Sequence, residues 1–200
     1  MKRLMAICLV VLFAVPVQAS IMGAALGTDP PPPVLGPYTM TSFPADSQAE
    51  YALVTSVASP LGGTVDFSAE LDHRIVGSSW ATWSHGYAGD VYYTNGAMSV
   101  TLTLPSNTGA FYFYAEPNPM ETYLITATAQ DGTQISQSVT GNSGACGYGF
   151  WATGGDLISS IGVVCDGADF GVGEFGIAIP EPTTICLLGL GALSLLRRKR

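Results

Sequence analysis

The chain has 200 residues, 48% hydrophobic and only 11% charged, with a net charge of −8 at pH 7. That length holds one ordinary domain with short ends. Fifteen acidic residues against seven basic ones exclude nucleic acid, and anionic lipid held by charge, as partners.

The first nineteen residues read as a secretory signal. Met1-Lys2-Arg3 is followed by an apolar run from Leu4 to Val15, then by Pro16-Val17-Gln18-Ala19. Val17 and Ala19 occupy the two small-residue positions, which places the cut after Ala19. Charge divides at the same boundary. Lys2, Arg3, Arg197, Arg198, Lys199 and Arg200 all lie at the ends, whereas Arg74 is the only cation among fifteen acids between Ser20 and Pro182. That segment therefore carries −14 with neutral histidines. Basic residues at both membrane flanks keep both ends cytoplasmic and the domain outside.

Residues 20–37, centred on Pro30-Pro31-Pro32-Pro33, read as an extended spacer, because proline donates no backbone hydrogen bond and favours a polyproline helix. The domain is expected over 38–179, and from Tyr51 onward the chain is strand-like, with Val, Ile, Thr, Tyr and Phe in short runs broken by Gly, Pro, Asn and Asp. The runs predict strands over 51–57, 64–68, 74–76, 89–93, 98–104, 111–115, 122–129, 134–139, 147–152, 158–164 and 174–179. The expected fold is all-β: an antiparallel β-sandwich, with a jelly roll as one form of it, flanked by the signal helix and a short C-terminal transmembrane helix.

Three hairpins can be put in register from pattern. Asn95-Gly96 suits a two-residue turn that sets Tyr93 against Met98 and Val91 against Val100. Asp131-Gly132 suits a three-residue loop with a bulge, setting Ile125 against Val139 and Ala129 against Ile135. Folding 147–152 on 158–164 about Gly155-Asp156 brings Cys146 opposite Cys165, within disulfide range. One even pair in an oxidising compartment suits a disulfide; two free buried thiols are the alternative.

The last twenty-one residues have a different logic. Pro180-Glu181-Pro182 precedes an apolar stretch, Thr183 to Leu196, and then Arg197-Arg198-Lys199-Arg200. Fourteen helical residues span about 21 Å, short against about 30 Å of hydrocarbon. Such a helix suits a retention handle that is later cut; a plain single-pass anchor is the alternative. This tail resembles the PEP-CTERM sorting signal of bacteria. The resemblance implies an exosortase, a transpeptidase-like membrane enzyme, as processing partner. It also implies an exported product that is anchored transiently in the inner membrane and then reaches the cell surface or the medium. Phe111 to Gly132 and Gly144 to Gly176 resemble the β-rich domain of exosortase-dependent surface proteins. That group has no activity to carry over.

Three chemistries can be weighed on the exported part. Trp80, Trp83 and Tyr87 could stack on sugar rings of an extracellular polysaccharide, or Trp80 and Trp83 could plug the core. Asp156, Asp166, Asp169 and Glu174 in Gly-rich turns could bind calcium, or be solvated acids; no Asp-x-Asp-x-Asp-Gly loop accompanies them. Glu116 with Glu121, or Asp72 with Glu70, could form a glycosidase pair, but carboxylates are plentiful here. No cofactor and no catalytic residue is expected, since Ser84 and His85 are sequence neighbours and no nucleophile elbow or phosphate loop occurs. Arg74 is expected to pair with Asp72, Glu70 or another carboxylate. The combined expectation is a non-enzymatic structural or adhesive surface protein, with a carbohydrate-binding module as runner-up and a glycan hydrolase behind it.

Overall fold

The computed structural model describes residues 20–181. The expected signal peptide, Pro182, the expected transmembrane stretch and Arg197, Arg198, Lys199 and Arg200 lie outside the described residues. Within them the chain is all-β, as expected. Fourteen strands follow one another: β1 (Ser20–Gly27), β2 (Val34–Leu35), β3 (Tyr38–Thr39), β4 (Thr41–Ser42), β5 (Leu53–Ala58), β6 (Thr64–Ile75), β7 (Asp90–Tyr93), β8 (Ser99–Thr103), β9 (Ala110–Pro117), β10 (Thr122–Ala129), β11 (Gln134–Thr140), β12 (Cys146–Thr153), β13 (Ser160–Cys165) and β14 (Phe170–Ala178).

Twelve strands form one antiparallel sheet in the order β1-β12-β9-β14-β7-β6-β8-β13-β10-β11, with β4 on β14 and β5 on β6. The long β6 makes the fold. Its Asp72–Ile75 half pairs with β7 and its Asp66–Phe67 part with β8, both on the side opposite β5. The β5–β6 hairpin thus carries the sheet round a corner, and two facing halves enclose the core. Phe111, Phe113, Tyr148, Phe150, Ile125, Ile161, Val163 and Phe170 fill it, each with no measurable exposure. Burying side chains of this size stabilises by about 1.5–3 kcal/mol each before entropy is counted.

The two free edges, β1 and β11, meet without a backbone ladder. Asp131 Oδ2 accepts from the Ile21 amide at 3.1 Å, Thr133 Oγ1 donates to the Ile21 carbonyl at 3.0 Å, and Gln137 Nε2 donates to the Gly147 carbonyl at 2.8 Å. Side chains therefore close a nearly complete barrel and protect edges that would otherwise pair with other chains. Burial works against the Asp131 charge, but hydrogen bonds from Thr133 and Ile21 outweigh it and hold its carboxyl below the usual range. The folded value is depressed, so the stabilisation is present above about pH 4 and is lost as acid titrates the folded group. Asp131→Asn should thus melt lower than wild type at pH 6, with the gap closing by about pH 2. A gap that stays constant across that range would remove the carboxylate from the seam.

Several expectations need correction. The spacer expected over 20–37 begins with a strand: β1 pairs with β12 from Ser20↔Thr153 to Gly27↔Gly147. Its small residues carry little strand signal, yet Gly23 lets Ile135 of β11 approach to 3.0 Å of where a Cβ would stand. The runs 64–68 and 74–76 belong to one strand, β6. Asn95 and Gly96 do turn, with φ of 50° and 93°, but Tyr93 faces Asp72 and Gly171 rather than Met98. Strands β7 and β8 both pair with β6, and on their other edges with β14 and β13, so they do not pair with each other. The β10–β11 loop has three residues, as expected, but the register is Ile125↔Gln137 and Ala127↔Ile135. Matching apolar residues fails there because Gln137 points inward, where its amide reaches the Gly147 carbonyl at the seam.

The cysteine hairpin is also corrected. β12 pairs with β1 and β9, β13 with β10 and β8, so Cys146 faces Ala115 and Cys165 faces Ile125. Both are free thiols. Burial pushes both up, Cys146 also through Glu116 and Cys165 to about 11. A raised thiol in a packed core is unreactive. Both peptides should be alkylated only after unfolding, by mass spectrometry; protection that persists in denaturant until reductant is added would mean a disulfide.

Candidate functional site

Strand β9 is buried on both faces. Phe111, Phe113 and Ala115 enter the main core, while Ala110, Tyr112, Tyr114 and Glu116 point outward beneath a second layer. Leu35 and Tyr38 of the N-terminal segment and Trp83 of the connection 76–89 supply that cover. The neighbouring β14 makes room through its glycines. A Cβ on Gly171 would stand 2.5 Å from Val91 and 3.1 Å from the Trp80 ring, and one on Gly176 would stand 2.2 Å from the Tyr112 ring.

A bulge in β14 creates the site. Val172 faces Ala115 and Gly176 faces Tyr112, with a register shift between Gly173 and Gly176. Strict alternation would turn Glu174 inward and Phe175 outward; the extra residue reverses both. Glu174 takes φ of 51°, an uncommon conformation for a side chain of its size. The signal is legible in retrospect, since the apolar period runs Phe170, Val172 and then skips to Phe175 and Ile177.

Two carboxylates hold the overlying connection. Glu116, 1% exposed, accepts from Trp80 Nε1 at 2.7 Å, Thr82 Oγ1 at 2.7 Å and the Gly144 amide at 2.9 Å. Glu174 accepts from Trp83 Nε1 at 2.8 Å and His85 Nε2 at 2.6 Å. Burial pushes the Glu174 carboxyl up, against hydrogen bonds from His85 and Trp83 that favour its charge. The other nitrogen of His85 faces the Thr28 carbonyl at 3.2 Å. His73 has the same environment, with Asp90 Oδ1 at 2.8 Å and the Ala49 carbonyl at 3.1 Å. Acceptors stand on both sides of each ring, so both contacts become hydrogen bonds when each nitrogen carries a proton.

Beside this cluster lies a cleft of about 350 Å³ lined by Tyr87, Asp90, Tyr92, Tyr112, Glu174 and Phe175, with Pro31, Ser42, Phe43 and Pro44 across from them. Aromatic walls with a few polar groups suit a small hydroxylated ligand. Ser42 Oγ and Tyr112 OH share one hydrogen bond at 3.0 Å, which leaves one hydroxyl proton free to turn outward. The carboxylates are already engaged: Asp90 binds His73 and the Asp46 amide, and Glu174 binds Trp83 and His85. The floor is braced for recognition more than for proton transfer.

The structure separates the residues singled out from sequence. Trp80 is a plug, 7% exposed, tilted on Tyr93 at 5.6 Å, and Trp83 is half-buried at 6.1 Å from Tyr87. Of the three, Tyr87 alone lines the cleft. Glu116 is sealed by its three donors. Asp169 takes the Tyr93 hydroxyl and Asn118, Asp166 and Asp156 lie in separate turns, and Glu174 sits in β14's bulge. No three acidic, histidine or cysteine side chains converge among the described residues. Arg74 pairs with Asp72 as expected, Nη2 to Oδ2 at 2.6 Å, and stacks over Tyr51 at 4.5 Å and Tyr93 at 5.4 Å. Pattern reading does not pair His73 with Asp90 or His85 with Glu174, whose elements meet only in the fold.

Pro180 and Glu181 are exposed and border a second hollow with Pro37, Tyr38, Thr39 and Ile179. Residues 178–200 match the model of the PEP-CTERM protein-sorting motif. No curated protein matches the chain.

Proposed function

We propose that this chain, an exported protein whose PEP-CTERM motif marks it for an exosortase, is a non-enzymatic structural or adhesive element of extracellular polymer. The observation that carries the reading is the junction itself. The motif starts on Ala178, the last residue of β14, so the sorting signal follows the domain without a linker. The outward face of β8, β13, β10 and β11 supports the finer role. It presents Ser99, Thr101, Thr103, Ser160, Thr126 and Ser136 among others, and none of its outward residues is charged. Such a face suits an uncharged, hydroxyl-rich polymer or another protein of the matrix. The cleft at Tyr87 favours a second reading, a carbohydrate-binding module.

Truncation before Pro180 in a host with an exosortase should abolish retention at the membrane and processing. Unchanged retention and processing would remove the sorting reading. On a glycan array the structural reading expects no retained glycan. Retention lost in Tyr87→Ala or Trp83→Ala but kept in Tyr87→Phe would establish the carbohydrate module instead; retention equal in all variants would take the cleft out of it.

A further inference from the structure

The described chain leaves the barrel at both ends in one place. Ser20, the start of β1, faces Thr153, near the end of β12 where Trp151 faces Ala110; Ala110, the start of β9, faces Ala178, the end of β14. Three strand spacings, about 14 Å, therefore separate the two exits. The same rim gathers four loops. Gln130 Nε2 donates to the Leu157 carbonyl, the Ile158 amide to Thr108 and the Gly109 amide to Ala178, while Gly63 packs against Pro105. Three large apolar side chains protrude from it: Leu61 at 39%, Leu157 at 40% and Ile179 at 43% exposure. Asp131, Asp156 and Glu181 are its charges, and Arg74, the only cation from 20 to 181, is not on it.

We propose that this rim rests on the bilayer while the tail holds the protein, with Leu61, Leu157 and Ile179 in the interfacial zone of a zwitterionic lipid surface. The inference rests on the reading of 180–200 as a membrane-held sorting signal. What covers the apolar rim follows from the chain that leaves it. Thr183 to Leu196 begins five residues after Ala178. Five extended residues reach at most about 18 Å, so the rim stays close to the headgroups. Apolar tips gain from partial insertion, whereas three carboxylates without a cation disfavour anionic lipid. The end carrying Pro117, Asn118 and Met120 points away, since Pro117 faces Phe170 at the start of β14.

The test uses the exported chain from Ser20 onward with Cys146→Ser and Cys186→Ser, because Cys165 is buried but Cys146 only half-buried. An environment-sensitive dye is placed at Leu61→Cys, Leu157→Cys or Met120→Cys, and the protein is reconstituted in phosphatidylcholine vesicles. The protein should float with the vesicles, with a blue shift at 61 and 157 and none at 120, where the native side chain is 76% exposed. Flotation with the same response at all three positions would overturn the rim orientation while keeping the anchor. Failure to float would overturn the membrane reading of the tail and the rim inference with it.

Discussion

Replacing Glu116 by alanine is expected to cost about 3–5 kcal/mol of folding stability, read from urea or thermal unfolding. The carboxylate is sealed beneath the connection 76–89 and takes three donors from three segments: Trp80, Thr82 and Gly144. Alanine leaves those donors without their acceptor. Glutamine is the sharper probe. Oε1 serves Thr82 and Gly144 while Oε2 serves Trp80, so an amide nitrogen in either place meets an N–H donor. Only the Thr82 hydroxyl can turn to accept. Glu116→Gln should therefore cost about 2–3 kcal/mol despite its matching shape. A loss below about 1 kcal/mol for alanine would mean that packing alone holds the connection. The same measurement bears on function, since a residue used only for hydrolysis would leave stability unchanged.

Phe111→Ala is expected to cost about 3–5 kcal/mol. The ring is fully buried on β9 and meets Phe175 at 5.7 Å, Phe113 at 6.3 Å and Phe43 at 6.5 Å. Its loss opens a cavity between facing halves of the sheet, where backbone ladders on both sides prevent collapse. Phe111→Leu should recover much of that loss, because it restores volume without a polar atom. Equal destabilisation by leucine and alanine would assign the cost to aromatic geometry instead of volume. The Phe111 variants should leave membrane retention of the molecules that fold intact, because the tail lies outside this core.

These two sites show how far pattern reading reached. Phe111 was placed in a strand correctly because alternating apolar residues are a local signal. That both faces of the strand are covered was not visible, since the cover comes from Leu35, Tyr38 and Trp83, which lie far away in sequence. Glu116 stood among many carboxylates, and nothing local distinguished a sealed acceptor from a solvated one. Trp80 and Trp83 looked alike at a spacing of three. The fold gives one to Glu116 and the other to Glu174, and seats Trp80 over Gly171.

Composition and local pattern already carry the all-β class, the acidic domain with a single arginine and the sorting tail. Each rests on composition, short-range alternation or a contiguous motif, which survive any arrangement of the strands. Tertiary structure decided which strands are neighbours, and with that everything requiring distant partners. It parted Cys146 from Cys165, turned Gln137 inward at the seam and made a strand of Ser20–Gly27. It also put a bulge at Glu174 and brought Ser20 and Ala178 to one rim. Hydrogen-bond pairing between strands is nearly indifferent to side-chain identity, so the choice of partner is settled by global packing and closure of the barrel, which no local window contains.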